Sequence, residues 1–368
     1  MPVLRTEAQN ETQTAVAPSR LYLALRRVFK GTPVWAFRFG MFLVQNSEEK
    51  RMNVDPIAGI AETKDIDYAG GGHSAQRLDV LVPETRADDD ALPVYVYFHG
   101  GGWTSGDKKT VTKYCAHQAA TGMVVVNVNY RHAGRFQMNH MIEDAESAVE
   151  WVHTNIGRFG GDPERVVLGG DSAGGHIAAL FTSASGNAEL REHFGMPAQP
   201  VSPSVQGLVL HCSAVDMSMV FHKAPLLGKG FVKLLHPRRG PAAGDDTSRT
   251  GSTGSTSTVG TALSLRSAAK YLSPIEWVQP DHPAVFVTTS ERDYFYETNL
   301  RFIDRLRTSL VPVETMIFGR ESRNTKHTWQ QNYRYPESQT VYERLTEFIN
   351  RVTAPVLLAT KPGALAQA

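Results

Sequence analysis

The chain is poor in cysteine. Cys115 and Cys212 are the only two among 368 residues. Two thiols so far apart, neither in a CxxC pair, make no disulfide framework and no zinc-binding set. Both read as small core residues of a reduced, cytoplasmic protein. Charge of either sign is not in excess: 38 Lys and Arg stand against 37 Asp and Glu, a net charge of +1. Such a balance does not draw a chain to nucleic acid. Long uncharged apolar runs are missing too, and a bilayer-crossing helix needs about 20 such residues. The nearest approach, LYLALRRVFKGTPVWAFRFGMFLV (21–44), is broken by Arg26, Arg27, Lys30 and Arg38 and by Gly31 and Pro33. It reads as two short amphipathic helices that cap a larger domain, with peripheral contact to a membrane surface as their second use. The opening MPVLRTEAQNETQT lacks the basic and apolar pattern of a secretory leader. No repeat of about 20–50 residues recurs, which excludes a solenoid. Neither GxGxxG nor GK[ST] occurs, which excludes the common phosphate loops.

What is present is an alternation of short apolar runs and helical spacing. RLDVLVP (77–83), VYVYFHG (94–100), MVVVNVNYR (123–131), GLVLHC (207–212), AVFVTTS (284–290) and VETMIFG (313–319) read as strands, most of them buried on both faces. Helices are predicted over 113–121, 138–155, 297–309 and 338–352, and GRFGGDPERV is a turn. Strands alternating with helices imply an α/β fold, a mostly parallel sheet covered on both faces. The expected organisation is a disordered tail at 1–20, a helical cap at 21–60 and an α/β domain at 61–355. A flexible Ser/Thr/Gly-rich insertion at 240–264 interrupts the domain, and a second tail covers 356–368.

One stretch carries chemistry. VVLGGDSAGGHIAAL (166–180) starts as a strand, turns through glycines and resumes as an alanine-rich helix. It contains GxSxG as Gly170, Asp171, Ser172, Ala173 and Gly174. A serine held at the tip of a tight strand-to-helix turn needs small neighbours, and the helix start aims free N–H groups at charge that develops beside it. A second motif, HGGGW (99–103), follows the strand 94–98. Its glycines let backbone N–H groups face an oxygen without obstruction. Gly101, Gly102 and Ala173 are therefore the expected oxyanion donors. A serine hydroxyl needs a base, and after GxSxG the order is serine, acid, histidine. Of 13 histidines only His327 lies beyond residue 290, in a loop before the last helix. The acid is expected just past the preceding strand. Asp293 is the choice there, with Glu291 in reserve and Glu297 given to a helix start. His99 reads as a pin for its own glycine loop, Asp171 as a brace of the turn, and Trp103 and His176 as substrate-pocket candidates. His211 and Asp216 do not form a metal set.

These residues resemble the hormone-sensitive-lipase-like group of α/β-hydrolase carboxylesterases. The likeness lies in HGGGW, VVVNVNYRHAG, EDAESAVEWV, FGGDPERVVLGGDSAGGHIAAL, YLSPIEWV, HPAVFVTTSERD and KHTW, together about 80–352. It implies an α/β-hydrolase fold, a small ester substrate, Ser172 as nucleophile, Asp293 as acid, His327 as base, and neither metal nor organic cofactor. Two departures stand out. His327-Thr328-Trp329 replaces the group's frequent His-Gly-Phe, a change expected to narrow the pocket. Tyr294-Phe295 follows the acid in place of Pro-Leu. The same parts would serve an amidase, formamidase, lactonase or acyl transferase. A membrane-surface lipase and a silent binding module are the remaining alternatives.

Overall fold

The computed structural model describes residues 36, 39–40, 53–85, 91–199, 205–218, 225–237 and 264–354. The two tails, residues 21–52 of the expected cap 21–60 apart from Ala36, Phe39 and Gly40, and the insertion up to residue 263 lie outside them; residues 53–60 of that cap are described and form no helix.

Eight strands form one sheet in the order β1-β2-β4-β3-β5-β6-β7-β8. They are β1 (Ile60–Asp67), β2 (Arg77–Pro83), β3 (Leu92–Phe98), β4 (Val124–Val128), β5 (Gly161–Asp171), β6 (Gly207–His211), β7 (Ala284–Ser290) and β8 (Val313–Phe318). The strands from β3 onward pair in parallel, and β2 runs antiparallel to both β1 and β4. The principal helices are α1 (Thr112–Ala119), α2 (Met138–Asn155), α3 (Ser172–Ser185), α4 (Ala188–Phe194), α5 (Pro225–Leu235), α6 (Leu265–Tyr271), α7 (Tyr296–Thr308) and α8 (Pro336–Val352).

Period-two alternation sorts the strand residues between two cores. Val94, Val96, Phe98, Val166, Leu168, Leu208, Leu210, Val285 and Val287 face α2, α3 and α7. Tyr95, Tyr97, Val125, Val167, Val209 and Phe286 face α1 and α8. Each fully buried aliphatic or aromatic side chain is worth about 1.5–3 kcal/mol, against about 0–1 for a surface ion pair, so these two layers hold the molecule together.

Several boundaries differ from the sequence expectation. β1, IAETKDID, has no apolar run because it is an edge strand with one neighbour, and its burial is only partial. The segment read as a turn, 157–166, falls partly inside β5. There the ladder to β3 is interrupted between Leu92↔Gly161 and Val94↔Val166. Asp162 and Pro163 occupy that irregularity, as a proline without an N–H to pair requires.

The order of strands places the site. The chain leaves β3 toward β4 on one side and β5 toward β6 on the other, while β3 and β5 lie side by side with Phe98 opposite Gly170. Loops after two such strands open a crevice at the carboxyl ends of a parallel sheet. HGGGW follows β3 and GDSAGG follows β5, so both motifs meet there.

Candidate active site

β5 ends at Asp171 in extended conformation, and Ser172 turns into the left-handed region with φ +52° before α3 begins. Serine seldom adopts that conformation, and it persists only where the surroundings hold it. They do so by close approach. A Cβ on Gly170 would run into the Phe98 carbonyl, and one on Gly174 into the carbonyls of Phe98 and His99. Glycine at both positions is what lets β5 and α3 pass against β3.

Asp171 stands where a helix-capping side chain belongs, yet it makes no bond to its own helix. Its Oδ1 instead accepts from the Tyr97 hydroxyl at 2.8 Å and from the Gly100 N–H at 2.9 Å. The carboxylate thus ties the end of β5 to the start of the glycine loop, and burial raises its pKa. Leaving the helix start uncapped keeps its N–H groups available to an anion.

The glycine loop is itself far from ordinary backbone: φ is +132° at Gly101, +59° at Gly102 and +61° at Trp103. The Gly101 carbonyl accepts from the Ser105 hydroxyl at 2.8 Å and from the Ser105 N–H at 3.2 Å. Among the described residues, the N–H groups of Gly101 and Gly102 meet no protein acceptor. His99 is fully buried, with Nδ1 2.7 Å from the Gly100 carbonyl and its ring stacked on Tyr130. It pins the loop, as expected.

The acid and the histidine arrive from β7 and β8. Asp293 lies three residues past β7. Its N–H donates to the Ser290 carbonyl at 2.9 Å, and its Oδ2 accepts from Thr289 Oγ1 at 3.2 Å. The Ser290 hydroxyl donates across to the Thr325 carbonyl, which joins the acid's loop to the histidine's loop. His327 Nδ1 lies 2.7 Å from Asp293 Oδ1, and Nε2 lies 2.9 Å from Ser172 Oγ. Ser172, His327 and Asp293 are therefore brought into one hydrogen-bonded line. Glu291 is turned away, toward the Arg320 N–H at 3.2 Å.

The remaining candidates divide. Trp103 is buried between helices. Its indole N–H donates to His176 Nδ1 at 2.9 Å, and its ring meets Phe231 edge-on at 5.2 Å. His176 is wholly buried, with Nε2 2.7 Å from the Leu272 carbonyl, and burial pushes its pKa down to about 4. A neutral imidazole with both nitrogens engaged offers no polar atom to a substrate. Its side-chain partner in this region is Trp103. In the His327-Thr328-Trp329 stretch, whose replacement of His-Gly-Phe is expected to narrow the pocket, Trp329 packs edge-on against Phe318 in the α1/α8 core. Thr328, at φ +57°, turns the chain so that His327 faces Ser172 while Trp329 goes inward.

Other contacts had no signal in the sequence. Tyr294 lays its ring over His327 at 4.1 Å, and Phe295 meets it at 5.6 Å. The two residues that depart from the Pro-Leu pattern thus flank the imidazole. Cys212 is a buried core residue, as expected, and its sulfur, an Asp293 carboxylate oxygen and a His327 ring nitrogen lie within 4.8 Å of one another. This is the one converging set of metal-ligand types among the described residues. Its acid and imidazole are already paired, and burial pushes the Cys212 thiol well up, away from the thiolate a metal needs.

Comparison with known proteins agrees with this architecture. A stretch of 93 residues, 25% of this chain, is 44% identical to carboxylesterase NlhH of Mycobacterium tuberculosis and spans 29% of that protein. Another of 116 residues, 31% of the chain, is 38% identical to a probable isoprenylcysteine alpha-carbonyl methylesterase of Arabidopsis thaliana, over 27% of its length. These curated relatives are thus matched over less than a third of their own length. Esterase B of Lactobacillus rhamnosis superposes with a TM-score of 0.73 at 21% identity, covering 87% of this chain and 96% of that one. Residues 78–299, more than half of the chain, match the family described as BD-FAE. The sheet order, the two glycine-framed motifs at its switch point and this match together show that the chain belongs to the BD-FAE family and has the α/β-hydrolase fold.

Proposed function

We propose that the protein is a serine carboxylesterase acting on a small carboxylic ester through an acyl-enzyme. One observation carries the reading: the line Asp293 Oδ1–His327 Nδ1 at 2.7 Å and His327 Nε2–Ser172 Oγ at 2.9 Å. In the first half-reaction Ser172 Oγ attacks the ester carbonyl carbon while His327 Nε2 takes its proton. Asp293 holds the Nδ1–H tautomer and stabilises the imidazolium. The carbonyl oxygen, now negative, sits against the N–H groups of Gly101, Gly102 and Ala173, each worth about 3 kcal/mol in the transition state. His327 then hands its proton to the leaving alkoxide, and the alcohol departs. In the second half a water loses its proton to His327 and attacks the acyl carbon. The carboxylic acid leaves and the proton returns to Ser172. The esterase names among the relatives support this choice of substrate class.

Among the described residues no helix is long and apolar enough to cross a membrane. The segment 21–44, read as an amphipathic pair with surface contact as its second use, lies outside them apart from Ala36, Phe39 and Gly40.

A fluorophosphonate reagent tests the reading directly. It is expected to label Ser172 and to abolish hydrolysis of p-nitrophenyl esters, with the matched anilides turned over far more slowly. An unlabelled protein, or label on another residue with full activity retained, overturns it.

A further inference from the structure

A run of buried polar side chains lies under the sheet on the α1/α8 side, away from the substrate crevice. Tyr95 Oη is 3.3 Å from Tyr114 Oη, which is 2.8 Å from His211 Nε2. His211 Nδ1 is 2.8 Å from Thr288 Oγ1, and Gln330 Nε2 donates to that same oxygen at 2.6 Å. Gln330 Nε2 also reaches Cys212 Sγ at 3.6 Å, and Cys212 lies against the acid–imidazole pair. All six side chains are fully buried. A polar group buried there is costly unless it is bonded. Their neighbours on this face are Val167, Val209 and Phe286, so an apolar layer would have served packing alone.

One order of donors satisfies the whole run. Gln330 donates to Thr288 Oγ1, and with the Thr288 hydroxyl donating to His211 Nδ1, the His211 Nε2–H goes to Tyr114 and the Tyr114 hydroxyl to Tyr95. This order needs a neutral His211, and burial drives its pKa down to about 3. The two ends of the central contact also matter. Thr288 belongs to β7, the strand that leads to Asp293. Gln330 stands three residues past His327, in the turn Trp329–Gln331, and its carbonyl accepts from the Tyr342 hydroxyl of α8 at 2.5 Å. Between His327 and Gln330 lies Thr328 in the left-handed region, a conformation unfavourable for a β-branched residue unless it is held.

We propose that Gln330 and Thr288 are positioning residues: their hydrogen bond, braced by His211 and Tyr114, locks the loop bearing His327 to the strand that leads to Asp293, so that the imidazole spans Asp293 and Ser172. This rests on the hydrolase reading above. Neither residue touches substrate.

The test compares Gln330→Met, Thr288→Val, Thr288→Ser and the Gln330→Met/Thr288→Val pair. kcat and KM for a p-nitrophenyl ester are measured per fluorophosphonate-titrated site, so unfolded protein does not count. Gln330→Met and Thr288→Val are each expected to lower kcat about tenfold or more with KM within about twofold, because a small misplacement of a reacting group is costly. Thr288→Ser keeps the hydroxyl and stays within about twofold of the parent. The pair is no slower than its slower member by more than about twofold, since one contact is lost either way. Variants that melt earlier yet retain kcat per titrated site overturn the proposal, as do additive losses. If Thr288→Val does not fold, the kcat and KM of Gln330→Met decide alone. Failure of the parent protein to label at Ser172 overturns the hydrolase reading instead, which keeps the two failures apart.

Discussion

His327 Nε2 lies 2.9 Å from Ser172 Oγ, although the two residues are 155 positions apart in the chain. β5 ends one residue before the serine, and β6, β7 and β8 stack beside it in sequence order. The loops after β7 and β8 therefore open on the same edge of the sheet as the elbow, and Asp293 and His327 come with them.

Replacing Ser172 with Ala is expected to bring ester turnover to background and to remove fluorophosphonate labelling. The melting temperature should stay within about 3 °C, because a side chain exposed to the crevice carries little of the core. Turnover near that of the parent protein would remove Ser172 from the mechanism.

Asp293→Asn preserves shape but not the Nδ1–H tautomer, and kcat should fall by about ten-thousand-fold. Glu291→Gln, whose carboxylate faces Arg320, should stay within about threefold. Steady-state kinetics on both variants separates the two acids, and a reversed order would reassign the role to Glu291.

Gly174→Ala inserts a methyl where the carbonyls of Phe98 and His99 already stand. A backbone obstacle cannot swing aside as a side chain does. The variant should lose about 3 kcal/mol or more of stability in urea titration. A loss below about 1 kcal/mol would mean that β3 and α3 are not packed this closely.

Stability should also fall with acid, and two fully buried histidines contribute to the fall. Burial pushes His176 down to about 4 and His211 to about 3 from the ordinary 6.5. Below pH 6.5 the unfolded chain takes up protons at these imidazoles and the native state does not. Their contribution is therefore complete above about pH 6.5, and each loses about 1.4 kcal/mol per unit as pH falls through the window toward its native value. In urea titrations between about pH 7.5 and 5, His176→Gln should show a slope shallower by about one proton than the parent protein. Equal slopes would mean that His176 is protonated in the native state.

Much of this was legible in the sequence, for identifiable reasons. Runs such as VYVYF and VVVNV announce strands buried on both sides, because only a parallel sheet covered by helices makes every position apolar. GGDSAGG and HGGGW carry their geometry in composition, since close backbone approach leaves no room for a Cβ. His327 was found by order along the chain. β1 was not legible, because an edge strand with one neighbour needs no apolar run. Trp329 misled for the opposite reason: its direction depends on the left-handed Thr328, which composition does not announce.

By itself, the sequence determined the layers and the tight strand-to-helix turn and singled out the serine, acid and histidine proposed to act, because each rests on local sterics or on order along one chain. Tertiary structure alone decided the rest. Asp171 braces a neighbouring strand rather than its own helix, His176 serves Trp103, Tyr294 covers the imidazole, and Cys212 and Gln330 lie behind the acid and histidine. Those contacts join residues tens to hundreds of positions apart. Their partners are set by strand order and register, which no local pattern records.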